Sequence, residues 1–192
     1  MKKYLLCTLL LFTPLVSFAE NIPNESMRQW NYYIAADMGV FISDVEINDD
    51  TFLDLGVSGM FEFGAQYNRY RLGISLKDAG EASGVIQALA GHTVGIENIS
   101  LRLNGYYDYV SYKGFAMYVG AGLGVNRYDY KIKEQYTHRE ESDIGASFTA
   151  GAKTGMTFGG GHMRFDIGFA VDYISFPRIY SYGPTVGLRY NF

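Results

Sequence analysis

Three histidines, His92, His138 and His162, and one cysteine, Cys7, are the side chains of this chain best suited to acid–base or nucleophilic work near neutral pH. A hydrolase would need a base within hydrogen-bond reach of a nucleophile or a water. Ser83 and Ser142 are the serines that could partner His92 and His138, but no His-x-Ser arrangement links either pair. Asp49, Asp50, His138, Glu140 and Glu141 could converge on a cation, yet their spacing matches no recurrent metal-ligand pattern. The sequence therefore predicts no catalytic residue, no metal site and no cofactor.

The remaining charges follow a rule. In eight segments apolar residues recur at every second position, the period of a strand with two unlike faces. The segments run from Asn31 to Ile42, Phe52 to Tyr67, Tyr70 to Lys77, Ile99 to Asp108, Phe115 to Asn126, Ile144 to Met156, Met163 to Tyr173, and Gly183 to Phe192. In the seventh, Met163, Phe165, Ile167, Phe169, Val171 and Tyr173 alternate with Arg164, Asp166, Gly168, Ala170 and Asp172. No apolar-face position carries a charge. The other face carries Asp37, Asp54, Glu62, Asp108, Asp166 and Asp172 against Arg71, Lys77, Arg102, Lys153, Arg164 and Arg189.

Two architectures share such alternation. A soluble barrel or sandwich turns the apolar face inward, and a membrane barrel turns it outward to lipid. The apolar face here holds about forty residues, more than the narrow interior of an eight-stranded barrel accommodates. The charged face is laced with glycines such as Gly73, Gly120, Gly122 and Gly151, which leave room in a narrow lumen for long side chains. An Arg or Lys at the bilayer midplane costs roughly 2 to 4 kcal/mol, so slipping several strands by one residue would exceed the stability of an ordinary domain. The predicted fold is an all-β, eight-stranded antiparallel up-and-down transmembrane barrel. Its twelve lumen charges form a paired polar plug, because a buried ion without a partner is heavily penalised.

Connections of unequal length agree with this. "NR", "VSYKG" and "GGGH" are tight turns, whereas Ser43–Thr51, Asp78–His92, Arg127–Asp143 and Ile174–Tyr182 read as long loops. Short turns on the periplasmic side and long loops outside are the outer-membrane arrangement, with both chain ends periplasmic and His162 in a periplasmic turn. Aromatics gather at both rims: Tyr32, Tyr67, Tyr70, Tyr107, Phe115, Phe158, Tyr190 and Phe192 at one, Phe52, Tyr128, Tyr173 and Tyr182 at the other. Val85–Ala90 has the composition of a short amphipathic helix or an apolar loop patch.

"MKKYLLCTLLLFTPLVSFAE" has a basic start, a short apolar run and small residues at Ser17 and Ala19, the layout of a secretory signal cleaved after Ala19. The expected organisation is a signal peptide over 1–19, a short periplasmic segment over 20–29 and the barrel over 30–192. Cleavage removes Lys2, Lys3 and Cys7, leaving a thiol-free chain with 14 basic against 20 acidic residues, net −6. That balance offers no basic patch for nucleic acid.

With its leader, eight alternating segments and terminal "GLRYNF", the chain resembles the small outer-membrane barrels of the opacity-protein and OmpA-like superfamily from Trp30 to Phe192. The resemblance implies a porin-family-like, monomeric surface antigen in the outer membrane of a Gram-negative bacterium, surrounded by lipid and lipopolysaccharide. It implies that Leu188, Tyr190 and Phe192 form the signal read by periplasmic chaperones and the barrel-assembly machinery. A peptidoglycan-binding domain after the barrel is not expected. The implied role is adhesion or surface interaction through the loops with a host or environmental ligand, together with envelope integrity. A narrow pore and a lipid-modifying or proteolytic enzyme are the alternatives; neither His92 nor His138 stands in the His-x-Ser arrangement of the lipid A deacylase barrels.

Overall fold

A strand whose side chains alternate between grease and charge is stable only where both faces are satisfied, and closing the sheet on itself satisfies both without leaving an edge in lipid. The computed structural model describes residues 30–47, 50–86, 92–133 and 140–192. The predicted leader and periplasmic segment, Cys7, Asp49 and His138 lie outside the described residues, as do the side chains of Asp50, Phe52, Ser83, His92, Glu140, Glu141 and Ser142.

Eight antiparallel strands form one closed barrel in sequence order. They are β1 (Asn31–Ile47), β2 (Asp50–Tyr67), β3 (Tyr70–Ile86), β4 (His92–Tyr112), β5 (Phe115–Lys133), β6 (Glu140–Phe158), β7 (Met163–Ser175) and β8 (Arg178–Asn191). The barrel closes where β1 pairs with β8, Ala35 opposite Arg189 and Asp37 opposite Gly187. The last residue is tied in, since the Phe192 amide donates to the Tyr32 carbonyl at 2.9 Å.

Face assignments match the sequence reading in all eight strands. Met38, Phe61, Ile74, Leu103, Leu123, Phe148, Phe169 and Val186 point outward and are exposed, while Asp37, Glu62, Arg71, Arg102, Asp166 and Arg189 are buried inside. The outward-facing Thr154 is no exception in energy, because its hydroxyl donates to the Tyr118 carbonyl at 3.0 Å. Rings pair along the turn-side rim: Trp30 with Tyr67, Tyr70 with Tyr107, Phe115 with Phe158, and Tyr190 with Phe192.

The four predicted long loops are largely strand. β1 and β2 pair as far as Ile47 opposite Asp50, β3 and β4 as far as Ile86 opposite His92, and β5 and β6 as far as Lys133 opposite Glu140. The fourth shrinks to a tight turn at Phe176 and Pro177, between Ser175 and Arg178. Val85 and Ile86 belong to β3 rather than to a helix, and the rest of Val85–Ala90 is outside the described residues. The physical reason is a change of chemistry along a constant pleat. Past the apolar belt the outward positions become Asp44, Glu46, Asp78, Glu97 and Arg127, and the inward ones become Val45, Ile96, Ile174 and Ile179. A strand leaving hydrocarbon for water meets the opposite demand, so its pattern inverts and reads as a loop.

Candidate functional site

Position parity brings eleven of the twelve predicted lumen charges into three contiguous layers and leaves Asp54 near the outer mouth. Toward the turn side, Arg189 is 3.7 Å from Asp166, whose carboxylate also accepts from Thr157. Arg71 donates to Asp108 at 2.8 Å, with its guanidinium over the rings of Tyr106 and Tyr118 at 4.8 and 4.7 Å. Halfway up, Lys153 donates to Asp37 at 2.8 Å. Higher still, Asp172 bridges Lys77 and Arg102, and Arg102 also donates to Thr149.

Three of the twelve make no ion pair among the described residues: Arg164, Asp54 and Glu62. Glu62 is held instead by neutral donors, Tyr33 at 2.7 Å, Asn104 at 2.6 Å and Tyr106 at 2.9 Å. These three groups share the inward frame of the charges in their strands, but Tyr and Asn carry no formal charge by which the sequence would single them out. A buried carboxylate accepting three hydrogen bonds is compensated as fully as one beside a single cation. Gly73 makes this possible, since a Cβ there would lie 2.7 Å from the Glu62 carboxyl carbon. Gly73→Val is expected to destabilise the folded barrel by about 1 to 3 kcal/mol through overpacking. Gly59→Val, where a Cβ meets nothing within 4 Å, should change it by less than about 0.5 kcal/mol. Urea titration of the folded fraction measures both.

Above the ionic layers the lumen becomes neutral and then apolar. Ser100 donates to Asn126 at 2.8 Å, and Asn126 donates to Asn98 at 2.9 Å. Val45, Ile96, Ile174 and Ile179, all buried, close the outer end. Tyr128, expected as a rim anchor, faces inward and packs on Phe176 with ring centroids 5.4 Å apart. Little space is left within the ionic layers: a cavity of about 50 Å³ lies among Asp37, Lys77, Arg102 and Lys153. A wider bowl of about 360 Å³ opens at the turn side, lined by residues including Gln66, Arg69, His162 and Arg164.

Among the described residues the arrangement fills a lumen and brings no histidine beside a serine. His162 is committed to the turn, with Nδ1 2.7 Å from the Asn191 carbonyl and its ring stacked on Tyr190. Among the described residues no group of three or more His, Cys, Asp or Glu side chains is placed to hold a metal.

The outer wall is the other candidate surface. Its outward charges include two exposed ion pairs, Glu46 with Arg178 at 2.9 Å and Glu97 with Lys131 at 2.7 Å. Charge is unevenly shared around the rim. No Lys or Arg occurs over 43–66 or 78–101, whereas β5 carries Arg127, Lys131 and Lys133.

No protein-family model and no curated protein sequence matches the chain. Solved structures do. Neisserial surface protein A matches with a TM-score of 0.64 at 17% identity, covering 84% of this chain and 97% of that one. A major outer membrane protein of Thermus thermophilus matches with a TM-score of 0.56 at 10% identity, over 82% and 99% of the two chains. Ail, the attachment invasion locus protein of Yersinia pestis, in complex with the heparin analogue sucrose octasulfate, matches with a TM-score of 0.51 at 13% identity, over 84% and 99%. By its closed eight-stranded sheet, its outward grease and these likenesses, the chain has the eight-stranded fold shared with these outer-membrane barrels.

Proposed function

We propose that this chain is a non-catalytic surface barrel of a Gram-negative outer membrane, with a closed lumen, periplasmic turns and an outer wall that contacts partners and supports adhesion and envelope integrity. The observation that carries the reading is the division of labour between faces: apolar belt outside, paired charges inside, charged strand extensions at one end only. A pore needs a continuous aqueous path, and here Tyr33, Tyr118 and Arg189, each at most 1% exposed, border a cavity of only about 10 Å³. Leu188, Tyr190 and Phe192 lie at the closing seam of the barrel, a position suited to recognition during assembly.

Ail is named for attachment and invasion, and the molecule bound to it is a heparin analogue. The absence of Lys and Arg over 43–66 and 78–101 disfavours a polyanion on that side of this chain, so its partner chemistry differs there.

The test is whole-cell adhesion by bacteria displaying the barrel, with each of the four outer hairpin ends trimmed singly. At least one trim should lower adhesion tenfold or more while heat-modifiable migration persists. Adhesion indifferent to all four trims contradicts the reading. Refolded protein in planar bilayers should give no steady nanosiemens steps, and such steps would rule out the closed lumen.

A further inference from the structure

Strand pairing is not continuous around the outer end. β2 and β3 pair from Tyr67 opposite Tyr70 only as far as Gly59 opposite Asp78. Each then runs on with its other neighbour, β2 with β1 up to Asp50 and β3 with β4 up to Ile86. The parting begins at a bulge between Asp78 and Glu81, where Gly80 at φ +73° brings its Cα so near the Val57 carbonyl that a Cβ would lie 2.6 Å from it. Beyond that point no described strand pairs with the β3-facing edge of β2, about seven residues or 20 Å of open backbone from Asp50 to Gly56.

This edge differs from an ordinary protected one. It carries neither Pro nor Lys, the usual devices that stop a strand from recruiting another. Its outward side chains Leu53 and Leu55 are each 71% exposed, the most exposed of the large outward hydrophobics. They continue upward past the row at which β3 has already changed from Leu76 to the exposed Asp78. Around the notch Asp44, Asp50, Asp54, Asp78 and Glu81 occur on β1 to β3 with no Lys or Arg over 43–66 or 78–101, whereas Glu46 and Glu97, farther from the open edge, are paired with Arg178 and Lys131. Two copies of such an edge repel each other, and a cationic strand is attracted.

We propose that the notch between β2 and β3 is a docking site for an extended, basic polypeptide segment that adds to the β2 edge as a strand, with apolar side chains on Leu53 and Leu55 and cationic ones toward the acidic rim. Backbone hydrogen bonds supply the affinity and alternate side chains the selectivity. The inference rests on the adhesive reading of the outer wall and names its partner chemistry.

The probe is a capped, fluorescent decapeptide of alternating Lys and Val, titrated by anisotropy against the refolded full chain in zwitterionic nanodiscs, with empty nanodiscs as blank. It should bind at least tenfold tighter than the Glu/Val counterpart. N-methylation of alternate peptide amides, in at least one of the two frames, should weaken it tenfold or more. Asp50→Asn/Asp54→Asn should weaken it threefold or more, and Asp143→Asn on β6 should not. Equal binding of both peptides, indifference to methylation in both frames, or a larger loss from Asp143→Asn overturns the proposal, as does peptide-independent dimerisation through this edge in sedimentation. If displaying cells adhere while the peptide fails these criteria, the docking site is wrong and the adhesive reading stands; if the cells do not adhere either, both fail.

Discussion

Asp172→Asn is expected to destabilise the barrel by about 3 to 5 kcal/mol, because one substitution removes the anion shared by two buried cations, Lys77 and Arg102. The side chains of all three are less than a tenth exposed, so bulk water compensates them little. Arg102 keeps its bond to Thr149, whereas among the described residues Lys77 keeps only the Phe41 ring, 4.2 Å from its ammonium. Adding Lys77→Met to Asp172→Asn should therefore recover part of the loss, which independent sites would not do. Urea midpoints of the folded band, compared across the double-mutant cycle, provide the check.

The second large effect comes from the opposite face. Leu123 lies opposite Leu103 on β4 and Ala150 on β6, in the middle of the outward apolar belt. Leu123→Arg should cost about 2 to 4 kcal/mol in a bilayer, and Ile99→Arg, four ladder pairs nearer the charged rim, about 0 to 1 kcal/mol. A soluble barrel would show neither cost, since both side chains would already face water. Folding equilibria in phospholipid vesicles measure the difference.

Orientation, register and strand number were legible in the sequence because two signals agree over the belt. Apolar residues repeat with period two, and every charge of the segments sits in the opposite frame, as in Arg164, Asp166 and Asp172 on β7. A single slipped residue would have put one of these in lipid. Strand ends were not legible for the converse reason. At Val45 and Glu46, or Ile96 and Glu97, the apolar residue faces in and the acid faces out, so the pattern that marks a strand in the belt marks a loop beyond it.

Within the lumen, charge alone located the ionic layers but not their partners. Asp172 serves two cations, and Glu62 is served by Tyr33, Tyr106 and Asn104, an arrangement that depends on which strands face each other across the barrel rather than on sequence neighbours. The notch at β2 and β3 is equally non-local. Its only trace in the sequence is the early change to Asp78 on one strand while Val57, Leu55 and Leu53 continue on the other.

Methyl NMR of the refolded protein with doxyl-labelled lipid tests the orientation most directly, because apolar residues lie on both faces. Leu72, Leu103, Leu123 and Val186 should broaden strongly, while Val45, Ile96, Ile174 and Ile179 stay sharp. Broadening of the second set with the first set spared would place the grease inside and contradict the whole account.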